Sequence, residues 1–172
     1  KLAGLYAVFL LWLQVVLSLV NRTPIGAKNT FWNINFHRNI GILTFLTLLL
    51  HAVLFVAAVS IRTDHFAFGL LLPNFSQGFY TLSVTLGVLS LYSLVFVIIA
   101  GYIRKRGVLI AKWLHRVSIL ALLLALVHCL FIGTETRYYT MVTIYSFMTL
   151  TLLAALYYRG SNCIKVRNVT SE

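Results

Sequence analysis

Acidic side chains are nearly missing from this sequence: among 172 residues, only Asp64, Glu135 and Glu172 carry a side-chain carboxylate. Charged residues of both signs amount to 10%, against about a quarter in a soluble domain. That excludes a chain whose whole surface faces water. Cysteine is just as sparse. Cys129 lies in an apolar run and Cys163 near the end, and neither belongs to a CxxC or CxxCH pattern. No disulfide framework, zinc site or covalently attached c-type haem is therefore indicated. The two prolines, Pro24 and Pro73, both fall between apolar stretches, where a missing N–H does no harm.

What fills the chain instead is apolar: 60% of its residues are hydrophobic and the mean hydropathy is +0.93. Five stretches carry the roughly 20 apolar residues needed to cross a bilayer core about 30 Å thick. They are residues 2–20, 36–61, 79–103, 113–133 and 138–158. Lys1 and the apolar run after it have the outline of a signal peptide, but the run is long enough to span and no small-residue cleavage site follows. The expected fold is all-α: a polytopic transmembrane helix bundle over 1–158, followed by a short cytoplasmic tail at 159–172.

The formal charge of +11 invites a nucleic-acid reading, and the placement of the charges argues against it. Arg22, Lys28 and Arg38 lie around the first connection, and Arg104, Lys105, Arg106, Lys112 and Arg116 around the third. The tail adds Arg159, Lys165 and Arg167. The second and fourth connections mix signs, with Arg62 beside Asp64 and Glu135 beside Arg137. Alternate connections share a side, so the basic side is cytoplasmic by the positive-inside rule. The first helix then starts outside, which predicts a further helix upstream and six in the full protein. The partner is a lipid bilayer, in a plasma or bacterial inner membrane, and not nucleic acid.

Histidines carry the chemistry. His37 and His51 fall in the second span and His115 and His128 in the fourth. An ionisable residue at membrane depth is costly and marks function by default. The two spans run in the same direction, so His37 and His115 share the cytoplasmic depth and His51 and His128 the outer depth. Two facing pairs at two depths are what two stacked b haems need, since an imidazole nitrogen on each side can hold each iron. Zinc or copper would find only two ligands per depth, with no Cys, Asp or Glu nearby. His65, in an outer connection beside Asp64, reads as a solvated loop histidine.

Helix geometry supports one pair and opposes the other. His37 and His51 are 14 positions apart, which returns to within about 40° of one face after about 21 Å of rise. His115 and His128 are 13 apart, about 140° out of phase on an ideal helix. A bend, a π-bulge or different rotamers would be needed there. Arg38 and Arg116 each follow an inner histidine and suit haem propionates, or serve as topology anchors. Gly41 admits either a flat macrocycle or a neighbouring helix.

On Asn33-Ile34-Asn35-Phe36-His37-Arg38 with Gly41 and His51, and on Trp113-Leu114-His115-Arg116 with His128, the chain resembles the ferric reductase-like transmembrane domain. That family includes ferric reductases, NADPH oxidases and the haem-bearing subunit of bacterial methionine sulfoxide reductase. The resemblance runs from the first helix to the fifth and includes the unequal 14 and 13 spacing. It implies electron flow from an inner haem at His37 and His115 to an outer haem at His51 and His128.

Two departures qualify what carries over. The chain ends at Glu172 without room for a flavin and nicotinamide domain. Phe55 stands where superoxide-producing oxidases have another histidine. The reading is therefore an electron-transfer subunit fed by a separate flavoprotein or by quinol. Flavin or quinone would come from a partner or bind at the cytoplasmic side. A protein or ferric acceptor takes the electrons outside. A metalloreductase acting on ferric chelates, and a haem-bearing subunit of a larger complex, are the alternatives.

Overall fold

The computed structural model describes residues 1–21, 34–76, 78–104, 107, 110–132 and 138–169, and within these it leaves the side chains of 104, 112 and 162–169 undescribed. The expectations placed on Arg22, Lys28, Asn33, Lys105, Arg106, Gly133, Glu135, Arg137 and Glu172 lie outside the described residues. So do those on the side chains of Arg104, Lys112, Cys163, Lys165 and Arg167.

Among the described residues the structure is all-helical. Its helices are α1 (Leu2–Val20), α2 (Ile34–Thr63), α3 (Phe79–Arg104), α4 (Ile110–Leu114), α5 (Val117–Ile132) and α6 (Tyr139–Val169). A short 3-10 turn, Phe68–Leu71, lies in the connection between α2 and α3. Four helices, α1, α2, α3 and α6, are each long and apolar enough to cross a membrane alone. The fifth expected span divides into α4 and α5, and the 16 residues of α5 rise only about 24 Å. Together α4 and α5 cover that crossing. Helix α6 runs on past residue 158 and stays helical to Val169.

Helix α1 is the hub. Its Val8, Leu11, Val15 and Leu19 are buried against Leu122, Ala125 and Leu126 of α5 and Tyr145, Met148, Leu152 and Ala155 of α6. With no hydrophobic drive in lipid, close packing and interhelical hydrogen bonds hold such helices together. The Trp12 indole N–H supplies one such bond, reaching the Met148 carbonyl at 3.0 Å and the Thr151 hydroxyl at 3.1 Å. Helix α2 leans on α1 and barely touches α3, whereas α3 packs along α5. Only Thr44 and Val56 of α2 are buried. One side of α2 faces lipid and the other faces a gap between it and the α3–α5 pair.

The connection between α2 and α3, at the outer end, is internally bonded. Asp64 turns the chain out of α2 in the left-handed region, with φ 57°. Thr85 ties the loop down, its hydroxyl donating to the Asn74 carbonyl at 2.6 Å and accepting from the Asn74 N–H at 3.0 Å. Phe66, Phe68, Phe79, Tyr80, Tyr138 and Tyr139 are exposed around this end, as an aromatic belt at a membrane interface requires.

Candidate intramembrane histidine site

Each histidine of α2 rests on α1, and each histidine of the α4–α5 crossing rests on α3. Gly4 of α1 lies against the His51 ring: a Cβ there would stand 3.0 Å from its Cε1 and Nδ1. At the other end of α1, Gln14 donates to the His37 carbonyl at 3.1 Å. The Gln14 amide and the Ser18 hydroxyl each reach His37 Nδ1 at 3.5 Å. Gly41 makes room for that amide, since a Cβ at 41 would meet Gln14 Nε2 at 2.9 Å. Its missing side chain thus admits a group from the neighbouring helix, and Gly41 also lines the cavity described below.

On the other pair of helices the contacts are regular. His128 Nδ1 lies 2.7 Å from the Ser83 carbonyl and His115 Nδ1 lies 3.3 Å from the Val97 carbonyl. Halfway between them, the Ser90 hydroxyl donates to the Ala121 carbonyl at 2.8 Å. A carbonyl oxygen only accepts, so Nδ1 is the donor in each contact, the arrangement in which a backbone carbonyl orients a metal-binding imidazole.

This ladder resolves the phase conflict of the 13-residue spacing. On α3 the contacts fall at Ser83, Ser90 and Val97, seven residues apart. Their partners His128, Ala121 and His115 are spaced seven and then six. The half that is one residue short contains the break between α4 and α5. There the chain tightens: Arg116 N–H bonds the Trp113 carbonyl, Ser118 N–H that of His115, and Ile119 N–H that of Arg116, at 2.9, 3.3 and 3.1 Å. These are three-residue, 3-10-type steps, each adding about 20° and about 0.5 Å over an α-helical step. The last two bonds lie inside the interval and span the four residue steps from His115 to Ile119; at 3-10 values those steps bring the phase error from about 140° to about 60° and the rise from about 19.5 to about 21.5 Å. The rise then matches that of the 14-residue pair on α2. A tightened turn, the opposite of a π-bulge, reconciles the two spacings.

The inner histidines meet across the gap. The His37 and His115 ring centres are 6.0 Å apart and their planes are inclined at 70°. Two imidazoles sharing one ion through bonds of about 2.0–2.1 Å, with about 1.1 Å from nitrogen to ring centre, would be roughly 6.2–6.4 Å apart. The observed separation suits a single metal between them. Both rings line a cavity of about 820 Å³ formed by α1, α2, α3, the α4–α5 crossing and the far part of α6, within the range of about 300–1,000 Å³ usual for cofactor sites. Arg38, Arg116 and Arg159 also line it, with no acidic residue among its walls. The Arg116 guanidinium lies 4.1 Å above the Trp113 ring, a cation–π contact.

The outer histidines, His51 and His128, are within electrostatic range of each other. His65 is exposed in the loop after α2, apart from both pairs. Among the described residues no three of His, Cys, Asp and Glu cluster as a metal site would require. Several contributors were not picked out in the sequence reading, Gln14, Arg159 and Ser83 among them. Gln14 had a signal, an amide within an otherwise apolar span. Arg159 had a weaker one, hidden by its assignment to the tail. Ser83 had none, because its contribution is a backbone carbonyl.

The fold and these pairs define an integral membrane helix bundle with ionisable residues facing each other inside the membrane. Residues 3–126 match the family of the ferric reductase like transmembrane component. With well over half its length matched, the chain belongs to that family, and its activity is of the transmembrane electron-transfer or reductase kind. The matched stretch contains His37, His51 and His115 and stops two residues before His128. No curated protein and no solved structure matches the chain.

Proposed function

We propose that the chain is a transmembrane electron conduit holding two b haems, one between His37 and His115 and one between His51 and His128. It takes electrons from a cytoplasmic-side flavoprotein or quinol and passes them to a protein or ferric acceptor outside. The observation that carries this reading is the 6.0 Å separation of the His37 and His115 rings across the inner cavity. The group supplies a reversible one-electron iron couple; the chain supplies its environment. The Ser83 and Val97 carbonyls of α3 hold Nδ1 of His128 and His115. Leu11, Phe45 and Leu94 give the cavity beside the inner rings an apolar part of its wall. Arg38, Arg116 and Arg159 offer charge-assisted hydrogen bonds to anionic propionates.

With about 21 Å of helix between the two depths, one pair serves each half of the membrane. The reading is tested on the purified full chain by a reduced-minus-oxidised spectrum and a pyridine haemochrome assay. Two low-spin b haems per chain are expected. One haem, or none after supplementation during expression, overturns it.

A further inference from the structure

Helix α3 carries no histidine, yet it touches both histidines of the α4–α5 crossing through two copies of one arrangement. In each copy a carbonyl faces Nδ1 and a glycine four residues later lies against the same ring: Ser83 with Gly87 for His128, Val97 with Gly101 for His115. The copies differ in tightness. The carbonyl distances are 2.7 Å and 3.3 Å. A Cβ at Gly87 would stand 2.7, 2.8 and 3.1 Å from Cε1, Nδ1 and Nε2 of His128, closer than side chains tolerate. A Cβ at Gly101 would stand 3.7 and 3.8 Å from Nδ1 and Cε1 of His115, in ordinary contact.

We infer that Ser83, through its carbonyl, and Gly87 are positioning residues that fix the tautomer and ring plane of His128, whereas Val97 and Gly101 leave His115 room to turn. The His128 ring cannot retreat from a new methyl group without stretching its bond to Ser83. A strongly held Nδ1–H also makes Nε2 a more basic ligand. Orientation and basicity of an axial imidazole both act on the iron it binds. The α3 side of the two seats is thus unequal by construction, tight against His128 and looser against His115. The inference rests on the two-haem reading, and its test separates the two.

The full-length holoprotein is purified as wild type, Gly87→Ala, Gly101→Ala and His51→Ala, the last assigning the outer-haem signals by their loss. Haem content, ferric low-spin electron paramagnetic resonance and a redox titration are recorded for each. Gly87→Ala is expected to shift or abolish the outer-haem resonance and displace its midpoint potential, with the inner haem unchanged. Gly101→Ala should disturb the inner haem far less than Gly87→Ala disturbs the outer one. Wild-type signals from Gly87→Ala, or equal disturbance from Gly101→Ala, overturn the inference. Fewer than two haems in the wild type would instead sink the two-haem reading.

If Gly87→Ala does not accumulate, proton double resonance on the wild type decides. A more tightly hydrogen-bonded exchangeable Nδ1 proton at the outer haem supports the unequal seats. Indistinguishable protons at the two haems overturn them.

Discussion

The inner and outer histidine pairs use the same residue type on the same two crossings, yet their surroundings have little in common. The inner pair borders an 820 Å³ cavity with three arginines in its walls, and its rings face each other directly. The outer pair is pressed between glycines, Gly4 against His51 and Gly87 against His128. One end of the bundle is therefore open and lined by arginines, the other tight around its rings. The contrast teaches that what packs around the rings sets the character of each site: arginines of α2, the α4–α5 crossing and α6 beside the inner pair, glycines of α1 and α3 against the outer pair.

The largest effects should follow from removing the ligands themselves. Replacing His37, His51, His115 or His128 by Ala is expected to remove one haem or convert it to high spin. His65→Ala, in an exposed loop, should change nothing. Haem stoichiometry and the low-spin signal of each variant check this. Retention of two low-spin haems by His128→Ala would break the proposed pairing, and with it the comparison between the two ends.

A smaller effect sharpens the electrostatic half of the comparison. Three cations beside the inner cavity disfavour the more positive, ferric state. Changing Arg38, Arg116 or Arg159 to Gln should therefore lower the inner midpoint potential and leave the outer one in place. The expected fall is less than about 60 mV per arginine, a tenfold change for a one-electron couple. Potentiometric titration of each variant reads it, and an equal shift at both haems would show that the arginines do not belong to one end.

Much of this was legible before any coordinates. The 14-residue interval from His37 to His51 is a helical repeat, and α2 keeps it unbroken. The 13-residue interval from His115 to His128 was legible only as a conflict. Its resolution lies in backbone hydrogen bonds around Arg116, which no side-chain pattern announces. Ser83 was equally hidden, because any residue at that position offers a carbonyl. Gln14 stood in plain view as a polar residue inside an apolar span. Its meaning needed α1 and α2 to be antiparallel neighbours, with Gln14 beside His37 and Gly4 beside His51.

The smallest expected effect concerns the hub that holds both ends together. Trp12→Phe keeps an aromatic ring near Phe9 and Phe147 but loses the hydrogen bonds to Met148 and Thr151. Interhelical bonds in membranes average about 0.6 kcal/mol, so a loss of stability of about 1 kcal/mol is expected, with both haem spectra intact. Thermal denaturation in detergent reads the first and absorbance the second. A selective loss of one haem would mean that α1 supports one end through α6.

Electron passage across the bilayer is tested most directly in sealed proteoliposomes. Ferricyanide is trapped inside and dithionite, which does not cross lipid, is added outside to vesicles carrying the purified two-haem protein. The account predicts bleaching of the internal ferricyanide with the wild type, and none with His115→Ala or His51→Ala at equal protein content. Both haems reduced in the wild type while the trapped ferricyanide keeps its colour would contradict it.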